Sequence, residues 1–370
     1  VQRLRRQEAQ PLVRAAPTIG ADARAMRRAI ELSELGLGST SPNPIVGCVI
    51  VGPDGGTVGE GYHACPGEAH AEVVALAAAG ARARGAAAFV TLEPCKHVGR
   101  SGPCTQALID AGIARVVFAV ADPYPPAAKG AEVLRSAGVV VEEGLLRAEA
   151  AWSNAAWLHF VRTGRPFVTW KYAATLDGRV AAADGTSRWI TGDAARLDVH
   201  RLRSTRDAIV VGTGTVLADD PSLDVRLPDV STSRHPLRVV VGRRPVPPTA
   251  KVFTGAAPTI QLAEHDPVVV LKELAGRDVV SVLLEGGPTL AAAFMAAGLV
   301  DRVVAYLAPA LLGSGQSALG DLGIETIAGA LKLHVDQVDL VGDDVRVVAT
   351  PLFGERAVSD QQLNDTVRGG

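Results

Sequence analysis

The sequence predicts an α/β protein built as two consecutive units. Three observations lead there. Short apolar runs alternate with helical stretches along most of the chain, the pattern of strands covered by helices. A Thr163-Gly164-Arg165-Pro166 step interrupts that alternation once, and it restarts afterwards. The chain has 370 residues, a length at which one core usually becomes two.

In chain order, residues 21–37 have helical spacing, with Ala25, Ala29, Ile30 and Leu32 sharing a face. Ser41-Pro42-Asn43-Pro44 is a turn. Residues 45–51 read as a buried strand, Pro53-Asp54-Gly55-Gly56 as a hairpin turn, and 59–63 as the return strand. An Ala-rich helix over 69–80 follows, then strands at 87–92, 115–120 and 139–142 with helices at 104–111 and 131–137. Residues 144–165 carry helical Ala, Trp and Leu. Beyond the Gly-Arg-Pro step, strands are expected at 167–173, 208–212, 237–241, 268–270, 279–284, 302–307 and 345–350. Helices are expected at 193–202, 271–275 and 289–297. The division is 21–147, a linker over 148–165, and 166–353, with 1–20 and 354–370 expected to be flexible.

Apolar residues make up 48% of the chain but aromatics only 4%, so the cores must be built from Ala, Val and Leu. A net charge of -2 gives no electrostatic footprint for a nucleic-acid duplex or a membrane surface. No apolar stretch reaches membrane-spanning length, and the Arg-bearing start lacks the apolar segment of a secretion signal, so a cytoplasmic protein is expected. Four cysteines in a chain this long point to metal or catalytic use rather than a disulfide framework. Cys48, among Val46, Val49 and Ile50, reads as a core thiol, and Cys65 as incidental.

The chemistry is carried by three of these segments. His70-Ala71-Glu72 lies on the expected 69–80 helix, Pro94-Cys95 follows the 87–92 strand, and Cys104 opens the next helix after eight intervening residues. One imidazole and two thiolates are three zinc ligands, and the fourth position stays open for water. Zinc lowers the pKa of such a water toward neutrality. Glu72 is too close to His70 for a comfortable second ligand and well placed to shuttle protons. A structural zinc or three unrelated residues would explain the same letters. A structural site usually has four protein ligands, for which His97 is a candidate.

In the second unit Gly212-Thr213-Gly214-Thr215 follows a strand, and Gly286-Gly287-Pro288-Thr289 opens a helix whose free amides attract anions. Neither is a dinucleotide-binding GxGxxG pattern, and each alone is also an ordinary tight turn.

HAE followed by TLEPCKHVGRSGPC, with SPNPIVG at 41–47 and GEGYH at 59–63, resembles the deaminase half of the bifunctional riboflavin-biosynthesis deaminase/reductase family. The segments WKYAATLDGR, SRWIT, DAIVVGTGTV, ADDP and LLEGGPT resemble its reductase half. The resemblance implies an N-terminal cytidine-deaminase-like domain and a C-terminal dihydrofolate-reductase-like domain. It implies zinc on His70, Cys95 and Cys104, with Glu72 as the catalytic acid/base. It gives Asn43, His63, His97 and Arg100 to the pyrimidine and its ribose phosphate. An Asn amide offers a base edge a paired donor and acceptor, and an Arg can clamp phosphate. Asn43 could equally be a plain turn residue, and His63 a surface strand histidine.

The same resemblance implies NADPH on Ala173, Trp189, Thr215, Asp219 and Gly287. Lys171, Ser187, Arg203, Leu223, Arg226 and Glu285 would face the reductase substrate. Arg203 and Arg226 suit phosphate because guanidinium forks bind oxyanions bidentately, although either could be a solvated charge. The implied substrate is 2,5-diamino-6-(5-phosphoribosylamino)pyrimidin-4(3H)-one, deaminated and then reduced to 5-amino-6-(5-phosphoribitylamino)uracil. A homo-oligomer acting on a small molecule is expected. Two rivals remain: a nucleic-acid editing deaminase, which would need a basic groove with stacking aromatics, and a deaminase with a non-catalytic C-terminal scaffold.

Overall fold

The computed structural model describes residues 20–96, 102–228 and 235–353. Two open sheets carry the two units. The first runs β2(Thr57–Tyr62), β1(Gly47–Val51), β3(Ala87–Leu92), β4(Arg115–Val120), β5(Val140–Glu143). Strand β1 is antiparallel to both its neighbours, whereas β3, β4 and β5 are parallel. Successive side chains of a strand point to opposite faces, and both faces are buried here. Cys48, Ile50, Ala88, Val90, Val116 and Phe118 pack under α2(Ala71–Ala79), α3(Cys104–Asp110) and α4(Gly130–Ser136). The intervening Val49, Phe89, Val117 and Ala119 pack under α1(Ala21–Glu34), α5(Arg147–Ser153) and α6(Ala155–Thr163). Helices α5 and α6 thus occupy the segment expected as a linker, and Trp157 and Leu158 are buried in this core.

Glycines set how closely the layers approach. A β-carbon on Gly61 would lie 2.5 Å from Ala71 O, and one on Gly59 would lie 2.2 Å from Ala75 O. The GEGYH segment therefore lets the backbone of α2 rest directly on β2. With so few aromatics, contact between an Ala-rich helix and bare glycines closes the core that large side chains would otherwise fill.

The second sheet has eight strands in the order β10(Thr259–Leu262), β9(Leu237–Val241), β8(Ala208–Gly212), β11(Ser281–Leu284), β6(Phe167–Thr175), β12(Arg302–Ala308), β15(Asp344–Leu352), β14(Lys332–Val341). It is parallel from β10 to β12 and antiparallel through β15 and β14. Val168, Trp170, Val210, Val239, Val282 and Leu284 face α9(Pro267–Ala275) and α10(Pro288–Ala296). On the opposite face, Ile209, Val211, Val240 and Leu283 pack with α8(Thr213–Asp219), and Val304, Tyr306 and Val348 pack with α7(Asp193–Ser204). A short pair, β7(Arg179–Ala181) with β13(Gln316–Ser317), completes the unit.

Several expectations need correction. Residues 268–270 belong to α9, not to a strand. Asp266 caps that helix by accepting the Val268 amide at 2.8 Å, and Pro267 takes its first turn. The three consecutive valines imitate a buried strand. Thr213-Gly214-Thr215 is the first turn of α8, a helix the sequence reading did not include. Strands β10 and β14 were not foreseen. β10 is a short edge, and the alternation in β14 is broken by a register shift between Val335 and Gln337.

Candidate active sites

The first site forms where α2 and α3 begin, above the end of β3. His70 is the residue before α2, with extended backbone (φ -71°, ψ 161°), rather than a helical residue as expected. This leaves Glu72 in the first turn, 3% exposed. Cys104 is the first residue of α3. His70 Nδ1 stands 3.1 Å from Cys104 Sγ and 3.6 Å from Cys95 Sγ. All three donor atoms lie within 4.8 Å of one another, and no other group of three possible ligands is found among the described residues. Both sulfurs face the same ring nitrogen, so a single ion would take Nδ1. The fit to zinc is that of a borderline-soft cation with one imidazole and two thiolates. Cys48 is buried in the core, and Cys65 lies outside the cluster.

The electrostatics suit that donor set. The Cys95 thiol is drawn below its ordinary range by its hydrogen bond with Cys104 and by His70, which outweigh burial. Burial, together with the charge on Cys95, pushes Glu72 up to about 7.

Behind His70, His63 is buried and its ring packs edge-on at 5.4 Å from the His70 ring. His63 Nδ1 is 3.2 Å from Ala69 O, an acceptor, so it carries the proton. Nε2 is then left to accept from Asn43 Nδ2 at 3.1 Å. Burial lowers the His63 pKa against the Ala69 hydrogen bond, favouring the neutral ring. That pairing fixes the Asn43 amide, with Nδ2 on His63. His97 and Arg100 lie outside the described residues.

Sequence reasoning passed over Glu93, which is buried beside the site. Its carboxylate accepts the Asp122 amide at 3.1 Å and the Ala131 amide at 2.9 Å, tying the end of β3 to α4 two residues before Cys95. Gly130 makes the same junction tight: a β-carbon there would lie 1.8 Å from Pro94 O.

The second site lies over the ends of β6 and β11. Arg203, on α7, donates to both Glu285 oxygens (Nε to Oε1, 2.6 Å; Nη2 to Oε2, 2.9 Å) and from Nη1 to Asp224 O at 3.1 Å. Lys171 Nζ is 4.0 Å from Glu285 Oε2. Burial works to raise the Glu285 pKa, but Arg203 and then Lys171 hold it at about 2. Burial lowers Lys171 against the pull of Glu285. Arg203 is thus committed to a carboxylate, while Arg226 keeps its exposed guanidinium 3.7 Å from Asp224. The Arg226 amide donates to Nδ1 of His200, a neighbour that the sequence did not signal. Leu223 is buried with φ 52°, a left-handed backbone uncommon for a leucine.

Around this network, the Gly287 amide donates to Thr215 Oγ1 at 3.1 Å, joining α8 to the start of α10. A β-carbon on Gly214 would lie 2.7 Å from Arg244 Nη2, so a guanidinium covers that turn. Trp189 is 68% exposed with the Arg196 guanidinium 4.5 Å over its ring, a rim position rather than a core one. Arg188 donates to Asp219 O. Ala173 is half-buried on β6, and Ser187 is half-buried beside Arg188. The starts of α8 and α10, the guanidiniums of Arg188, Arg196 and Arg244, and the solvent-exposed Trp189 are groups that fit a phosphate-bearing dinucleotide.

Both units match known protein families. Residues 20–120 match the cytidine and deoxycytidylate deaminase zinc-binding region, and residues 166–347 match the RibD C-terminal domain. The chain is 52% identical to the riboflavin biosynthesis protein RibD of Mycobacterium tuberculosis, over 87% of this chain and 95% of the relative. Among solved structures, RibD of Acinetobacter baumannii superposes with a TM-score of 0.82 at 39% identity, over 90% of this chain and 99% of that one. A Thermotoga maritima diaminohydroxyphosphoribosylaminopyrimidine deaminase/5-amino-6-(5-phosphoribosylamino)uracil reductase superposes at 0.83 with 35% identity, over the same shares. The chain belongs to the RibD family of bifunctional riboflavin-biosynthesis enzymes, with a zinc-binding, cytidine-deaminase-like domain followed by a reductase domain of the dihydrofolate-reductase-like fold.

Proposed function

We propose that this enzyme deaminates 2,5-diamino-6-(5-phosphoribosylamino)pyrimidin-4(3H)-one with residues 21–147 and reduces the product's ribosyl chain with residues 166–353, using NADPH. One arrangement carries it: His70, Cys95 and Cys104 converge on a single point beside the buried carboxylate of Glu72.

His70, Cys95 and Cys104 would hold zinc, which supplies a polarised water near neutral pH when bound. Glu72 takes a proton from the attacking water and returns it to the departing amine, a task its raised pKa suits. Asn43, oriented by neutral His63, offers its amide oxygen to the base edge. His97 and Arg100 are assigned to the substrate as well, Arg100 to its phosphate.

In the reductase domain Ala173, Trp189, Thr215, Asp219 and Gly287 would bind NADPH, which supplies hydride. Glu285 and Arg203 lock one another and hold Lys171 close, so that Lys171 can meet a sugar hydroxyl. Arg226, with its guanidinium exposed, is the better placed of the two arginines for the substrate phosphate, and Arg203 serves to position Glu285. Ser187 and Leu223 would line the substrate's path.

A homo-oligomer in the cytoplasm completes the proposal. Strand β14 is a sheet edge with Val335, Val338 and Leu340 exposed, and no helix among the described residues is long and apolar enough to cross a membrane. The test is to supply the diaminopyrimidine phosphate with and without NADPH and identify products by mass. Without NADPH one amine should be replaced by oxygen, and with it the ribosyl chain should also gain two hydrogens. An unchanged substrate mass in a zinc-loaded enzyme would overturn the proposal.

A further inference from the structure

The two units meet along a seam between the 37–45 loop, α5, α6 and the starts of β6, β11 and β12 in the second sheet. The approach is close: a β-carbon on Gly38 would lie 2.1 Å from Ser204 O. A partly open pocket of ≈ 60 Å³ lies in the seam. One water needs roughly 10–15 Å³ by the same measure, so there is room for a few waters or one tetrahedral oxyanion.

Two guanidiniums, Arg206 and Arg302, line this cavity. Each has a buried Nε with no hydrogen-bond partner. Arg206 Nη1 reaches only its neighbour Thr205, at the carbonyl (3.2 Å) and the hydroxyl (2.9 Å). Arg302 stacks 3.6 Å over the Trp152 ring, with Phe167 at 5.2 Å. Stacking satisfies the face of a guanidinium and leaves its N–H edge without acceptors. Neither arginine forms an ion pair with a described residue. The acids nearby are engaged elsewhere. Asp301 receives Arg165 at both oxygens and the Val168 amide. Asp207 receives the Val280 and Ser281 amides and the hydroxyls of Ser41 and Ser281. Asp336 accepts the Thr350 hydroxyl. Burial lowers both guanidiniums to about 10; Asp207 opposes it at Arg206, while at Arg302 the charge on Arg206 adds to it against Asp336 and Asp301.

Buried charges in proteins are normally paired, because desolvation is costly and like charges add repulsion. Arg206 and Arg302 are half-buried, line one small pocket, and each keeps a buried Nε without an acceptor. Guanidinium edges match tetrahedral oxyanions bidentately. We infer that the junction between the two domains is an oxyanion site that takes a phosphate group between Arg206 and Arg302. The group is inorganic phosphate or a phosphomonoester. The site is separate from the phosphate contacts proposed for Arg100 and Arg226, and it stands whether or not those assignments hold. It adjoins the deaminase centre, because Asn43 lines the cavity and also bonds His63.

Equilibrium dialysis tests this with the full chain carrying R100A and R226A, so that the proposed catalytic phosphate contacts are gone. Labelled inorganic phosphate is the probe, at fixed ionic strength in chloride. One phosphate per chain should bind. Adding R302M, whose apolar stem can still cover Trp152, should weaken binding about tenfold or more, and R206M should do the same. Ribose 5-phosphate competes if the site accepts a phosphomonoester, and fails to compete if it is reserved for free phosphate. Absence of bound phosphate in the R100A/R226A chain overturns the inference, and so does undiminished binding in R206M or R302M. Should R302M fail to fold, R206M and the stoichiometry decide the matter.

Discussion

Gly130→Ala should disable the deaminase without touching a proposed ligand. Gly130 opens α4 against the carbonyl of Pro94, the residue before Cys95. Its backbone is outside the left-handed region, so alanine is allowed there on conformational grounds. Space alone forbids it. The added β-carbon would lie 1.8 Å from Pro94 O, where real contacts are not under 3.0 Å. The junction must open by more than 1 Å, and the obstacle is backbone on both sides rather than a flexible side chain. Overpacking of this kind costs roughly 1–3 kcal/mol. A metal site tolerates ligand displacements of only about 0.2 Å, so zinc affinity should fall by roughly ten- to a hundredfold or more. The assay is zinc content after dialysis against a weak chelator, with ammonia release and NADPH oxidation measured on the same sample. Zinc and ammonia release should drop together while NADPH oxidation with deaminated substrate persists. Gly20→Ala, with nothing within 4 Å of the new carbon, is the control. Full zinc occupancy and normal deamination in Gly130→Ala would refute the claim that this contact sets the position of Cys95.

Three further outcomes follow from the same geometry. Glu72→Gln should lower ammonia release by roughly 10²–10⁴ while zinc stays bound, and turnover near the wild-type rate would remove Glu72 from proton transfer. A strong chelator should abolish ammonia release but leave NADPH oxidation of the deaminated substrate intact, with added zinc restoring the first activity; loss of both would contradict separate centres. Glu285→Gln should cost the reductase domain about 3–5 kcal/mol in urea unfolding, because Arg203 and Lys171 lose their counter-charge. The folded Glu285 pKa of about 2 lies below its ordinary 4.5, so the pairing stabilises fully above about pH 4.5 and is lost as pH falls toward 2. The acid sensitivity in that window should shrink in the variant, and identical wild-type and variant profiles would show that the pair contributes nothing.

The sequence by itself determined the local features. Strands at 87–92, 115–120, 208–212 and 237–241 appear at the bounds their apolar runs gave, because a strand buried on both faces is written in consecutive residues. The gathering of His70, Cys95 and Cys104 was also legible, since HAE, PC and the later Cys are short-range signatures with a chemical meaning. Tertiary structure decided the rest. Whether three valines at 268–270 form a strand or a helix depends on the Asp266 cap and the sheet beneath, not on the valines. Arg203, a candidate phosphate ligand by residue type, turns to Glu285, 82 positions away, and leaves Arg226 exposed. The orientation of Asn43 comes from His63, the position of Cys95 from Gly130 and Glu93, and the meeting of Arg206 with Arg302 from the seam between domains. Periodicity and spacing act over a few residues. Charge pairing and burial act between groups that only the packed chain brings together, so no local pattern records them.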